Sequence, residues 1–278
     1  MDQEQPKTGR RVEKQKGSAL YWIIMLVLLG VFAFSVFKIA QYYRQMHNSK
    51  AEQSKIAEEY VDPVTEPDPV VERDPEKKNE HTTEPEQIRV DFTRLQADHP
   101  DVVGYIYSAN TALRADTGSI SFPIVQCSNN DFYLNHGVDG KYNINGAIFM
   151  DYRSQKDYSD QNTVVYGHRM WSGHMFASLL QYKTQSYYEA HPHIYIYTPA
   201  QNYRMDLLAG CNVESVEAVY QSKLSRETVE DLMRRSAFRS AVTELPEDAH
   251  YLTLSTCDKN ANFRDPRFII LGLLVPID

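Results

Sequence analysis

Three side chains of this 278-residue sequence have the types and settings that acyl transfer requires: Cys257, His168 and Arg267. Cys257 follows the run Thr253-Leu254-Ser255-Thr256 and precedes the polar Asp258-Lys259-Asn260. That places a thiol at the end of a strand beside a loop, where a nucleophile stays partly accessible. His168 ends a second β-rich run, Asn162-Thr163-Val164-Val165-Tyr166, and Gly167 permits an unusual backbone turn that presents the imidazole at a barrel rim. Arg267 opens the apolar run Phe268-Ile269-Ile270, ten residues after Cys257. Thiolate nucleophile, proton shuttle and oxyanion stabiliser are the parts such a reaction needs. Each also has a plain structural reading: a small buried hydrophobe, a surface imidazole, a solvated guanidinium. Only a mouth shared by the three strands makes them a site. Cys127 and Cys211, each in or at the end of an apolar β run, fit the buried reading. His174 and the His191/His193 pair raise a metal alternative, but neither H-E-x-x-H nor C-x-x-C spacing occurs.

The elements that must carry these residues are short. Strands are expected over 121–126, 146–151, 163–166, 193–198, 203–212, 251–256 and 268–275, separated by turn chemistry such as Ser128-Asn129-Asn130-Asp131. Short strands with few long helices predict a mainly β fold, a closed or nearly closed barrel. Helices are expected over 88–97, 175–182 and 225–240, the last with Val229, Leu232, Met233 and Ser236 on one face. The net charge is −8, while the first 50 residues hold eight basic side chains against three acidic ones. An acidic body excludes nucleic acid as the main partner. Three scattered cysteines exclude a disulfide scaffold.

Residues 19–37 form an uncharged run of nineteen with a single serine, about 28 Å long as a helix, close to the thickness of a bilayer core. Five basic residues precede it and Lys38, Arg44 and Lys50 follow, which predicts a cytoplasmic N-terminus. No small-residue cleavage site follows, so the run reads as an uncleaved signal anchor in contact with membrane lipid. Residues 51–90 carry twelve acidic side chains, five prolines and no glycine, the composition of a semi-extended spacer. The expected organisation is a tail over 1–18, a transmembrane anchor over 19–40, a spacer over 41–87 and a domain over 88–278.

Over about residues 90–276 the sequence resembles the sortases, the cell-wall transpeptidases of Gram-positive bacteria, and more closely class B. The resemblance lies in Phe122-Pro123-Ile124-Val125-Gln126, Asn130-Asp131-Phe132-Tyr133-Leu134-Asn135-His136, Gly146-Ala147-Ile148-Phe149-Met150-Asp151 and the His168 segment. The run Thr253-Leu254-Ser255-Thr256-Cys257 matches the TLxTC signature, and Arg267 and the helical insertion at 225–240 match too. It implies a sortase-type β-barrel with Cys257 as nucleophile, His168 as catalytic histidine and Arg267, rather than Arg264, as the oxyanion or positioning arginine. It implies that Asn130, Leu134, Tyr220, Ser255 and Thr256 line the substrate groove. The implied reaction is cleavage of an exported protein's C-terminal sorting signal, of xPxTx type, after threonine. Transfer then goes through a thioacyl enzyme to an amine of the peptidoglycan cross-bridge or its lipid-linked precursor. A pilin lysine as acceptor, in pilus polymerisation, is the alternative; a non-catalytic sortase-like binding module is the other. No cofactor or metal is implied, the calcium site of some class A members having no counterpart. Cys127 stands where relatives often carry glycine, and the segment 109–119 is longer than usual.

Overall fold

The computed structural model describes residues 19–63, 88–108, 120–259 and 264–277. The expected tail over 1–18, the segment 64–87 of the expected spacer and the insertion at 109–119 lie outside the described residues. The chain divides into two compact units, residues 1–45 and 46–278. In the first, helix α1 (Ala19–Tyr60) begins, and its large apolar side chains from Tyr21 to Ile39 stand exposed. By length and composition this helix suffices to cross a membrane.

In the second unit α1 runs on to Tyr60, so the expected spacer is helical for its first twenty residues. Ile56 and Tyr60, four apart and therefore on one face, are buried against Leu95, Val102 and Phe149. Two apolar residues at helical spacing are enough to dock an otherwise acidic stretch. Strand β1 (Val61–Pro63) then pairs with β2 (Ile88–Val90). The helix expected over 88–97 is therefore a strand followed by a shorter helix, α2 (Phe92–Asp98), which starts where the Asp91 carboxylate accepts from the Arg94 N–H at 3.0 Å.

Eight strands close a barrel in the order β10-β8-β7-β3-β4-β5-β6-β9. They are β3 (Val102–Ser108), β4 (Ile120–Val125), β5 (Ile148–Met150), β6 (Asn162–Tyr166), β7 (His193–Tyr197), β8 (Asn202–Glu214), β9 (Tyr251–Cys257) and β10 (Pro266–Ile277). The β4–β5 and β6–β9 pairs are parallel; the other barrel pairs are antiparallel. The expected barrel is thus present, and β3 is an addition to the expected strands. Its pattern is broken at Gly104, where the register shifts and a Cβ would stand 2.4 Å from the Tyr158 hydroxyl.

Alternation along the strands decides which residues meet where. Leu252 and Leu254 of β9 and Phe268 and Ile270 of β10 point into the barrel. Tyr251 of β9 and Ile269 and Leu271 of β10 face outward, beneath helix α4 (Arg226–Arg235). This helix stops at Arg235 rather than 240 because Ser236 turns extended and its hydroxyl accepts from the N–H groups of Gly210 and Phe238. Phe238 then inserts into the core, stacked on Tyr188 at 4.3 Å. The segment 175–182 is a 3-10 helix over Phe176–Lys183, followed by a short helix α3 (Gln185–Ala190).

Candidate active site

Continuing that alternation places Ser255 and Cys257 on the outer face of β9, and Arg267 with Ile269 on the outer face of β10. Cys257 and Arg267 are direct cross-strand partners. The register therefore brings their side chains together, and Arg267 Nη1 donates to Cys257 Sγ at 3.3 Å. Asp265 holds the same guanidinium at 2.9 Å. On the other side of β9, Tyr166 of β6 pairs with Ser255, and Val164 and Tyr166 pack outward. His168 follows two residues later. Its Nε2 lies 2.7 Å from the carbonyl oxygen of Leu134. A carbonyl only accepts, so Nε2 carries the proton of the neutral ring and Nδ1 keeps its lone pair.

Gly167 does not make use of the unusual backbone that a glycine permits; among the described residues the glycines with positive φ are 140, 146 and 173. It is required for space. A Cβ there would stand 2.5 Å from Ile148 Cδ1 and 2.6 Å from Phe176 Cδ2. The residue is also tied through both of its backbone polar groups: its N–H donates to the Ser255 carbonyl and its carbonyl accepts from the Thr256 hydroxyl at 2.8 Å. Gly167→Ala is expected to cost about 2 kcal/mol through overpacking. It should also lower turnover by moving His168; a thermal melt unchanged from the parent would rule this out.

All eight residues expected at the site line one open cleft of about 270 Å³: Asn130, Leu134, His168, Tyr220, Ser255, Thr256, Cys257 and Arg267. Phe149, Tyr166 and Ser215 complete much of its wall. Leu134 comes from a 3-10 turn, Phe132–Leu134, whose first N–H groups are held by the Asn129 side chain. Gly146, at φ +59, lets that turn pack closely, since a Cβ would meet the Tyr133 carbonyl oxygen at 2.4 Å. Tyr220 donates to or accepts from Ser255 at 3.0 Å and stacks on Tyr166. Burial pushes its phenol up to about 12, so it stays a neutral hydroxyl. Arg264, the other arginine considered, is exposed and is bound through its backbone N–H to Glu214.

Two carboxylates to which the sequence reading gave no role hold this arrangement. Asp151, buried, accepts from Arg153, Tyr166 and the Asn130 amide at 3.2 Å. Burial works against its charge, but these donors outweigh it and keep the carboxyl below its usual range. Asn130 thus enters the cleft with its amide already oriented. Asp258, fully buried directly after Cys257, pairs with Arg169 at 3.2 Å, with Lys183, and with the Asn212 amide at 2.6 Å. The signal for the Asp258 cluster in the sequence is adjacency, Asp258 to Cys257 and Arg169 to His168; Asp151 closes a motif shared with the sortases.

Of the other histidines, His193 bonds Asp206 at 2.8 Å, His191 stacks on Tyr187 and His174 lies against Phe122. Among the described residues no three His, Cys, Asp or Glu side chains gather as metal ligands. Cys211 is buried, and burial pushes its thiol up to about 12. Cys127 is not buried as expected but half-exposed, because it lies past the end of β4. Alkylation of the native protein at pH 8 should therefore label Cys127 and Cys257 and spare Cys211, read by peptide mass mapping. Labelling of Cys211 before unfolding would contradict this packing.

The sortase domain family profile matches residues 114–275, more than half of the chain. Sortase B of Listeria monocytogenes is 29% identical over 258 residues, covering 91% of this chain and 95% of that protein. A crystal structure of a Bacillus anthracis protein similar to sortase B superposes with a TM-score of 0.62 at 26% identity, covering 85% of this chain and 98% of that one. A Staphylococcus aureus sortase B–substrate complex gives 0.60 at 23% identity, over 67% of this chain and 85% of that one. A thiol, a guanidinium and an imidazole at the lip of a closed barrel, in a chain so matched, lead to one assignment: the protein belongs to the sortase family of cysteine transpeptidases, with class B members as its relatives.

Proposed function

We propose that this chain is a membrane-anchored sortase that cleaves an xPxTx-type sorting signal after threonine and joins the released carboxyl end to a peptidoglycan amine. The observation that carries the reading is the 3.3 Å contact between Cys257 Sγ and Arg267 in a cleft shared with His168. The Cys257 thiolate attacks the threonine carbonyl, and the carbonyl electrons move to an oxyanion beside the Arg267 guanidinium. His168 Nδ1, which takes the Cys257 thiol proton as the sulfur attacks, gives that proton to the departing amine as the C–N bond breaks. A thioester on Cys257 remains. An incoming amine then attacks it, the C–S bond breaks, and His168 takes the amine proton. The resting contact already sets the guanidinium on the sulfur, within reach of the carbon that the sulfur attacks.

Residues 19–40 would hold the enzyme in the membrane with the N-terminus inside and the barrel outside. The run of exposed apolar side chains and the excess of flanking basic residues on its N-terminal side support this. The full-length chain in detergent, given a fluorogenic x-Pro-x-Thr-x peptide library, should cleave after threonine and show a thioacyl adduct by intact mass. Arg267→Lys should lower kcat/KM by about 10²-fold or more, because an ammonium cannot hold sulfur and oxyanion with one planar fork. Parent-like turnover of that variant would remove Arg267 from the reaction.

A further inference from the structure

The helical part of the expected spacer touches the supports of His168 at two points. Residues 46–60 of α1 belong to the barrel unit. Glu52, Ile56 and Tyr60 recur every four residues and so share one face. Ile56 and Tyr60 account for the docking of that face by apolar burial. Glu52 and its neighbour Gln53 are polar, yet both are half-buried against loops of the barrel.

The Glu52 carboxylate accepts from the Asn143 amide at 3.3 Å and lies over Gly137, where a Cβ would stand 2.9 Å from Glu52 Oε1. The backbone N–H of Asn143 donates to the Asn135 carbonyl at 2.9 Å. Asn135 follows Leu134, whose carbonyl fixes His168 Nε2. Gln53 makes the second contact: its Nε2 donates to Met175 Sδ at 3.0 Å. Met175 is buried at φ +57, a backbone that a residue with a side chain keeps only where its surroundings fix it. The next backbone N–H, that of Phe176, donates to the His168 carbonyl at 3.0 Å. One chain of contacts thus ends on the His168 ring and the other on its main chain.

We infer that Glu52 and Gln53 are positioning residues for His168, holding the two loops that fix its imidazole and its backbone. The inference rests on His168 as the proton carrier of the proposed reaction. A proton crosses only within hydrogen-bond reach, so a displacement of about 1 Å in the ring slows the protonation of the departing amine.

The test uses the full-length chain in detergent and two donors built on its best x-Pro-x-Thr peptide, one with the natural amide after threonine and one with a thiophenyl ester. The amide nitrogen needs a proton to depart; thiophenolate leaves without one. Turnover of the amide by the double variant Glu52→Ala with Gln53→Ala should fall about tenfold or more, and turnover of the thioester less than about threefold. Gly137→Ala, which reaches the same contact from the loop without altering the helix, should show the same split between donors. Glu52→Gln, which still accepts from Asn143, should keep parent rates. A merely structural contact would move both donors alike. Equal losses on both donors in both variants, parent-like turnover of the amide, or Glu52→Gln as slow as the double variant, would overturn the inference alone. His168→Ala losing both donors equally, or neither, would remove the proton role itself and the inference with it.

Discussion

Cys257→Ala should remove peptide cleavage and thioacyl formation together, by about 10⁴-fold or more, since the other members of a nucleophile–base–oxyanion unit contribute little without the nucleophile. The fold should survive. Cys257 is half-exposed at the end of β9, and deleting one sulfur there should cost less than about 1 kcal/mol. The measurement is cleavage of the library's best peptide beside a thermal melt of the same sample. Residual turnover above the solvent rate in a folded variant would show that another group attacks the carbonyl.

Asp258→Ala should be the most damaging change to stability near the site. The carboxylate is fully buried and neutralises two cations whose side chains are 29% and 35% exposed. Removing it strands both charges and one Asn212 N–H. Breaking a buried pair costs about 3–5 kcal/mol, and the partial exposure of the cations puts this case near the lower end. A loss of about 3 kcal/mol would lower the melting temperature of a unit of this size by about 6–12 °C. Asp258→Asn, which keeps the Arg169 contact as a neutral hydrogen bond, should fall between. A melt within about 2 °C of the parent for the alanine variant would mean that the cluster contributes no net stability. Turnover should fall as well, because Asp258, the residue after Cys257, is tied to Arg169, the residue after His168.

The barrel strands were legible because β-branched and aromatic runs punctuated by turn residues leave few other foldings. β3 was not, since Gly104 interrupts its pattern for a packing reason that only Tyr158 explains. The same limit applies at Gly167, where the sequence shows a glycine but cannot distinguish a backbone need from a steric one. The docking of Ile56 and Tyr60 was masked by twelve acidic neighbours, because composition averages over faces whereas burial selects one. In the site, the residues that face the cleft could be read from the resemblance to the sortases. The roles of Asp151 and Asp258 could not, as they depend on partners remote in sequence, Asn130 and Tyr166 for the one and Arg169, Lys183 and Asn212 for the other.

The ladder joining Cys257 to Arg267 has a further consequence. Seven consecutive positions of β9 and β10 are paired in strict register, and side-chain direction alternates with every residue. Loss or gain of one residue between the reactive pair and the rest of either strand would send sulfur or guanidinium into the barrel while the hydrophobic total hardly changed. Chemistry encoded this way tolerates point substitution of most neighbours yet is brittle to indels. Lineages of this enzyme should therefore vary in length in the turn between the two strands and keep constant length within them.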